Sequence, residues 1–304
     1  MQEQVIEWFA SNGRDLPWRE PDFTPWGSLV SEFMLQQTPV ARVLPRLEEW
    51  LTRWPTPADL ATASPADAVR AWQNLGYPRR ALWLHACAVT IAEKHGGQVP
   101  HDVETLLTLP GVGPYTARAI AVFAYGAHEP VVDTNIRRVI ARAVHGHADQ
   151  GPPSTTRDLA DMLALLPEPG VSPTFNAGMM ELGALVCSAN SPRCDECPVS
   201  KLCAWRAAGY PPDDRPRRKV QARYEGSDRQ VRGVVLKILR ESPDFVNRSE
   251  FRTAWPDAKQ LDQAIISLLD DGLIVSSGDS LSLPTESFTR GDRQVDRSKE
   301  IPKS

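Results

Sequence analysis

Four of the five cysteines lie within 17 residues, and this cluster constrains the fold of the 304-residue chain more than any other feature. The cysteines follow the pattern C-x6-C-x2-C-x5-C and are Cys187, Cys194, Cys197 and Cys203. In a cytosolic chain, such a cluster indicates a metal site rather than disulfides. Zinc sites usually pair two short CxxC-type hooks, and only one is present here. We therefore predict a [4Fe–4S] cluster held by four thiolates, with zinc as the alternative.

The composition favours a globular chain of two or three domains. Hydrophobic residues make up 41% and charged residues 24%, which is ordinary for such proteins. No apolar run approaches the ~20 residues of a membrane span. The N-terminal segment has helical spacing and does not resemble a signal peptide. We therefore expect a cytoplasmic protein without membrane contact.

Charge alone leaves the question of a nucleic-acid partner open. The net charge of −4 argues against one, but a total charge says little about local patches. Residues 215–232 carry seven basic and two acidic side chains, and residues 135–147 carry three arginines and no acid. Both segments are candidates either for nucleic-acid contact or for an ordinary solvated surface.

Residues 1 to about 210 have the pattern of short amphipathic helices separated by proline and glycine. A linker rich in proline and charge is predicted over 209–227. Residues 228–284, here called the C-terminal module, predict three helices and a β-hairpin. This order indicates a winged-helix-like module that binds DNA, packs against the core or dimerises. The polar tail, 285–304, is predicted to be disordered.

Two further segments suggest how a helical core would meet DNA. In LLTLPGVGPYTARAIAVFAYG, Gly111 and Gly113 allow a tight turn between two helices, and the second helix then presents backbone N–H groups to a phosphate. This pattern resembles a helix-hairpin-helix, which clamps the DNA backbone without reading sequence. Some 20 residues later, Asp133 of PVVDTNIRRV either caps a helix or acts chemically.

Glu32 is the least expected acid in the sequence, because it lies among Leu29, Val30, Phe33 and Met34. A carboxylate in apolar surroundings costs free energy unless it is paired, protonated or useful. Burial also raises a carboxyl pKa towards neutrality, which suits a general acid. The residues alone leave open which of these applies to Glu32.

These motifs together resemble a known family. The cysteine spacing, the LPGVGPYTA string and the VDTN segment are similar to those of the endonuclease III superfamily of DNA glycosylases. The segments SEFMLQQT, LPWR and LGY are similar to the A/G-specific adenine glycosylases of the MutY type. The resemblance covers residues 5 to about 205. It implies a mainly α, two-lobed helix-hairpin-helix fold, with one lobe over 22–130 and a cluster lobe over 1–21 and 131–208.

The resemblance also implies a role for each matched residue. Glu32 would be the catalytic acid, Asp133 would stabilise the oxocarbenium-like sugar, and Tyr115 would lie beside the sugar. Asn135 would hydrogen-bond and orient Glu32. The expected DNA contacts are Trp18 and Arg19 around the adenine, Gln37 and Tyr77 as wedges in the duplex, and Gly111 and Gly113 in the hairpin. The expected partner is double-stranded DNA with adenine mispaired with 8-oxoguanine or guanine, bound by a monomer in the bacterial nucleoid.

The absence of one residue predicts the reaction type. Bifunctional members of the superfamily have a nucleophilic lysine just after the hairpin, where this chain has Tyr115. No lysine lies between Lys94 and Lys201. We therefore expect water to attack the sugar, which would release the base without cutting the strand.

The chain departs from the family at three places. Pro78 follows Tyr77 where a second tyrosine is common, and Ala177 stands where Gln or Glu often lies near the adenine edge. The C-terminal module is too short and too helical for the Nudix-like domain that recognises 8-oxoguanine. Two alternatives stay open: an endonuclease III-like or mismatch thymine/uracil glycosylase, and a non-catalytic iron–sulfur DNA-binding protein.

Overall fold

A computed structural model describes residues 1–212 and 223–285, and the helices predicted from the sequence dominate it. In the first 212 residues the helices are α1 (Gln2–Asn12), α2 (Pro25–Leu35), α3 (Val40–Arg53), α4 (Pro57–Thr62), α5 (Pro65–Trp72), α6 (Arg79–Lys94), α7 (Val103–Leu106), α8 (Pro114–Tyr125), α9 (Thr134–Ala143), α10 (Thr155–Leu163), α11 (Ser172–Leu185) and α12 (Ala204–Ala207). Short 3-10 helices span Pro17–Arg19, Pro169–Val171 and Ser200–Leu202.

The helix starts follow from local sequence. Proline stands at the start of α2, α4, α5 and α8, where its missing N–H removes no helical hydrogen bond. Thr24 caps α2 by accepting a hydrogen bond from the backbone of Gly27. Thr56 and Ser64 form capping boxes with an aspartate three residues later. These caps fix where each helix begins, and thereby which face of α2 carries Glu32.

The described residues group into two units. The first contains residues 1–55 and the described part of 98–221, and the second contains 56–97 and the described part of 222–304. Within the first unit, α2 packs on α3 and α8, and α11 packs on α1 and α9. Within the second unit, α6 packs on α4 and α5. These units differ from the two lobes expected from the sequence, whose boundaries stay a prediction.

The C-terminal module contains the three expected helices and the expected hairpin. Its elements are α13 (Asp228–Glu241), β1 (Val246–Asn247), α14 (Arg248–Ala254), α15 (Ala258–Asp270), β2 (Val275–Ser277) and β3 (Ser280–Ser282). The sequence did not predict β1, which has only two residues and pairs antiparallel with β3, so that the strand order is β1-β3-β2. A strand this short has no alternating pattern to detect.

The fifth cysteine, Cys87, is fully buried in α6. Residues 213–222 of the predicted linker and residues 286–304 of the predicted tail lie outside the described residues. Within the described ranges, no helix is long and apolar enough to cross a membrane.

Candidate active site

Glu32 lies in the last turn of α2, and its carboxylate lines an open cleft of the first unit. Its neighbours Leu29, Phe33 and Met34 are fully buried. This burial raises the pKa of Glu32 to about 7, and the negative charge of Asp133 contributes in the same direction. A carboxyl group with this pKa is partly protonated at neutral pH, and it can therefore donate a proton to a bound base.

Tyr115 lies beside Glu32, in the first turn of α8. Helix α8 begins directly after the hairpin, with Gly113 as its N-cap and Pro114 as its first residue. The Tyr115 hydroxyl hydrogen-bonds to the Glu32 carboxylate, which lowers the pKa of Glu32 against the effect of burial. Burial and the two nearby carboxylates raise the pKa of Tyr115 itself. Tyr115 is therefore a neutral hydrogen-bond donor.

Asp133 is the N-cap of α9 and faces the same cleft. Its Oδ1 accepts a 2.7 Å hydrogen bond from the backbone N–H of Ile136, and its Oδ2 accepts one of 2.7 Å from Asn135 Nδ2. Burial raises the pKa of Asp133, while these hydrogen bonds and the charge of Arg138 lower it. The Asp133 carboxylate therefore caps α9 and lines the cleft at the same time, so a capping role and a catalytic role are compatible.

The expected contact between Asn135 and Glu32 is wrong. Asn135 donates to Asp133, and its Oδ1 accepts a 2.8 Å hydrogen bond from Arg138 Nη2. The reason is local, since residues two apart at a helix N-terminus bring a capping side chain and its neighbour together. Arg138 continues the network by donating to the backbone carbonyls of Gly183 and Cys187, at 2.7 Å each.

The cleft is open to solvent and has a volume of about 690 Å³, which is sufficient for a base that leaves a duplex. Four of its lining residues were predicted from the sequence, but the wall around Arg137 was not. Arg137 holds that wall: its Nη2 donates to three successive carbonyls, of residues 150 to 152, and its Nε lies 2.7 Å from Asp158. The lining residues are Glu32, Leu35, Gln36, Gln37, Pro114, Tyr115, Arg118, Val132, Asp133, Thr134, Arg137, Pro153, Thr155, Asp158 and Leu159.

The two hairpin glycines serve different purposes. Gly111 has φ +76°, in the left-handed region that favours glycine. Gly113 has φ −100°, and a Cβ there would meet no atom within 4 Å, so its backbone geometry does not require glycine. Its place as the N-cap leaves the first N–H groups of α8 open to an approaching phosphate.

Both predicted wedge residues have left-handed backbones. Gln37 lines the cleft with φ +56°, and Tyr77 of the second unit has φ +46° with 53% of its surface exposed. Non-glycine residues seldom adopt this conformation, and those that do cluster at functional sites. An exposed aromatic ring on a fixed turn is the form that a wedge requires.

Among the described residues, Trp18 and Arg19 do not line this cleft, and their place around the adenine stays a prediction. Arg19 instead donates to Glu181 Oε2 at 2.9 Å and to the backbone carbonyl of Arg14 at 2.5 Å. Its guanidinium also lies 4.8 Å from the ring centre of Phe9. The carboxylate of Glu181, which is fully buried, therefore holds the Arg19 side chain. Glu181 was not among the residues predicted from the sequence.

The four clustered cysteines line the same small pocket. Arg142 also lines it: Nη1 lies 3.5 Å from Cys187 Sγ and donates to the carbonyl of Ser188 at 2.7 Å. A positive charge at this position offsets thiolate charge, so the residues fit a cysteine-ligated cluster. In the described part of the chain, no three His, Cys, Asp or Glu side chains are arranged to hold a metal ion directly.

Comparison with known proteins agrees with this geometry. Residues 30–164 match the model of the HhH-GPD superfamily of base excision DNA repair proteins. The adenine DNA glycosylase of Mycobacterium tuberculosis is 57% identical over 286 residues, covering 93% of each chain. That of Mycolicibacterium smegmatis is 55% identical and covers 91% of this chain and 93% of its own. A solved thermostable thymine-DNA glycosylase superimposes with a TM-score of 0.62 at 27% identity, covering 68% of this chain and 94% of its own.

The fold and the site thus define a helix-hairpin-helix base-excision protein with two acids in one cleft. The chain belongs to the adenine DNA glycosylase family. Because the match to the M. tuberculosis protein leaves only 7% of either chain unmatched, it includes most of the C-terminal module.

Proposed function

We propose that this protein is a monofunctional DNA glycosylase that hydrolyses the N-glycosidic bond of adenine mispaired with 8-oxoguanine or guanine. The family membership supports adenine as the released base. The observation that carries the mechanism is that Glu32 and Asp133 share one cleft in different environments. Two carboxylates in different environments are the pattern of an acid and a charge stabiliser.

Glu32 acts as the general acid. Adenine is a poor leaving group until one of its ring nitrogens is protonated, and a carboxyl group with a pKa of about 7 can supply that proton near neutrality. The Tyr115 hydroxyl beside it keeps the carboxylate oriented. The proton moves from the Glu32 carboxyl to the base as the bond to the sugar breaks.

Asp133 stays ionised and stabilises the positive charge that develops on the sugar. Asn135, Ile136 and Arg138 favour its charged form. No lysine is among the described residues that line the cleft, and the family resemblance puts Tyr115 where bifunctional members have their covalent amine. Water therefore completes the reaction, and the product is an abasic site in an intact strand.

The DNA is held by backbone contacts and by wedges. The N-terminus of α8 after the hairpin binds a phosphate. Gln37 and Tyr77 replace the stacking that is lost when adenine leaves the duplex, a loss of a few kcal/mol. Cys187, Cys194, Cys197 and Cys203 would hold a [4Fe–4S] cluster that shapes the loop around them. When bound, the cluster is structural and takes no part in base release.

The two alternatives lose support for different reasons. A thymine or uracil glycosylase would share the fold, but the mycobacterial relatives are far more similar than the thymine-DNA glycosylase structure. A non-catalytic DNA-binding protein has no use for Glu32 and Asp133 in one cleft. We further propose that the protein is a cytosolic, nucleoid-associated monomer and that its C-terminal module is winged-helix-like.

The test is base release from three duplexes, containing adenine opposite 8-oxoguanine, adenine opposite guanine, and thymine glycol. We expect adenine release from the first two, with strand breaks only after alkali. Cleavage of the thymine-glycol duplex without adenine release would instead identify an endonuclease III-like enzyme. The rate ratio of the two adenine duplexes measures selectivity for the lesion.

A further inference from the structure

Tyr77 stands on a turn between α5 and α6 that side chains of both helices hold. The carbonyl of Gly76 accepts hydrogen bonds from Trp72 Nε1 at 2.9 Å and from Arg80 Nη2 at 3.0 Å. Gly76 has φ +84° and Tyr77 φ +46°. The Arg80 guanidinium lies 5.2 Å from the ring centre of Trp72 and 5.5 Å from that of Tyr77. The side chains of Trp72 and Arg80 therefore fix the turn that carries the exposed Tyr77 ring.

The C-terminal module contacts this turn at the start of α6. Arg79, two residues after Tyr77, donates from Nη1 to Asp271 Oδ1 at 3.1 Å. Asp271 directly follows α15, and its Oδ2 accepts a 2.6 Å hydrogen bond from Arg232 of α13. Arg232 also donates to the hydroxyl of Ser267. The Asp271 carboxylate is thus oriented within the module, which lowers the entropy lost when it pairs with Arg79.

A second contact lies on the other side of the turn. Arg70, in the last turn of α5, donates from Nη2 to the backbone carbonyl of Ser242 at 3.3 Å. Ser242 ends α13, and a cation is favoured at the C-terminus of a helix. The module therefore binds α5 before the Tyr77 turn and α6 after it.

We propose that the C-terminal module braces the Tyr77 turn, and that Asp271 is a positioning residue for insertion of Tyr77 into the duplex. This inference rests on the proposed function, because it takes Tyr77 as the wedge. A wedge acts by filling the space that the adenine leaves, so a turn that moves loses part of that contact. The brace adds to the hydrogen bonds on Gly76 by fixing both flanking helices relative to the module.

The test compares Asp271→Asn with Asp270→Asn. Both substitutions remove one negative charge at the end of α15, but Asp270 is exposed and its side chain forms no ion pair within the described part of the chain. The loss of one negative charge would by itself tighten DNA binding equally in both variants. We expect Asp271→Asn to slow single-turnover adenine release about two- to fivefold, the size of one surface ion pair. Asp270→Asn should release adenine at the wild-type rate.

Tyr77→Ala then shows whether Asp271 acts through the turn. We expect Tyr77→Ala to slow release about tenfold or more, and Asp271→Asn to add nothing in that background. Independent slowing, with the two factors multiplied, would overturn the brace, as would equal rates for Asp271→Asn and Asp270→Asn. Arg79→Gln removes the other partner of the same ion pair. If Asp271→Asn folds poorly, Arg79→Gln takes its place, and we expect the same two- to fivefold slowing.

Amide hydrogen exchange at residues 74–77, without DNA, separates this inference from the proposed function. A brace predicts faster exchange in Asp271→Asn than in Asp270→Asn, whatever base the enzyme releases. Unchanged exchange would contradict the brace. Faster exchange without any adenine release by the wild type would contradict the proposed function alone.

Discussion

Asn135 donates a 2.7 Å hydrogen bond to Asp133 and so serves the acid that caps its own helix, not Glu32. Its Oδ1 accepts from Arg138, whose guanidinium reaches the carbonyl of Cys187. The side chain of Asn135 is therefore the link between Asp133 and the segment that begins the cysteine cluster.

Asn135→Ala should impair Asp133. Without the amide, the charged form of Asp133 loses one hydrogen bond, so its pKa rises further. We expect adenine release about tenfold slower at neutral pH, and an acid limb of the pH–rate profile that moves to higher pH. Asn12→Ala, at an exposed amide that donates to the carbonyl of Trp8, is the control. A shift confined to the alkaline limb would contradict this, because it would mean that Asn135 acts on Glu32 and not on Asp133.

The single-turnover rate should fall as the pH rises above about 7. Burial first, and the charge of Asp133 second, raise the pKa of Glu32 to about 7, and the reaction needs the protonated form. We therefore expect a tenfold loss for each pH unit well above that value. Measuring adenine release from pH 5 to 9 checks this. A rate that is flat from pH 6 to 9 would exclude Glu32 as the acid.

Glu32→Gln should stabilise the folded protein in alkali. Because the folded-state pKa of Glu32 is raised from 4.5 to about 7, the wild type loses stability as the pH rises from 4.5 through 7. Glutamine does not titrate, so the variant should gain up to ~3 kcal/mol over the wild type above pH 7, and little at pH 4. Urea unfolding at the two pH values measures the difference. A gain independent of pH would contradict the burial of a titrating group.

Glu181→Gln should have the opposite effect. Burial alone would raise the pKa of Glu181, but hydrogen bonds from Arg14 and Arg19 outweigh it and lower the pKa to about 2. The stability from this cluster is present above pH 4.5 and is lost as the pH falls towards 2. We expect a loss on the order of 3 kcal/mol at pH 7. Glu7→Gln is the exposed control, and a loss that persists at pH 2 would contradict the ionic origin.

Glu32 and Glu181 show which parts of the site could be predicted from the sequence and which could not. Both are acids among apolar residues on helices, and the same argument applies to both. Only the structure shows that Glu181 is neutralised by two arginines from the N-terminal segment, while Glu32 lines a cleft beside Asp133. Pairing between distant segments leaves no periodic signal in either one. The family resemblance, not the pattern alone, singled out Glu32.

The local features were predictable for a physical reason. The helix starts follow from proline and capping residues, and the turn at Gly111 follows from the left-handed backbone that glycine permits. The contacts of Asn135, the opposite wall held by Arg137 and the pair between Arg79 and Asp271 depend on side-chain directions that only packing decides.

The most direct test of the account is single-turnover adenine release by Glu32→Gln from a duplex with adenine opposite 8-oxoguanine. Glu7→Gln is the matched control, because Glu7 is an exposed glutamate that is not among the described residues lining the cleft. We predict that Glu32→Gln binds the duplex with wild-type affinity but releases no measurable adenine, while Glu7→Gln behaves as the wild type. Adenine release by Glu32→Gln at the wild-type rate would contradict the account, because the proton would then come from another group.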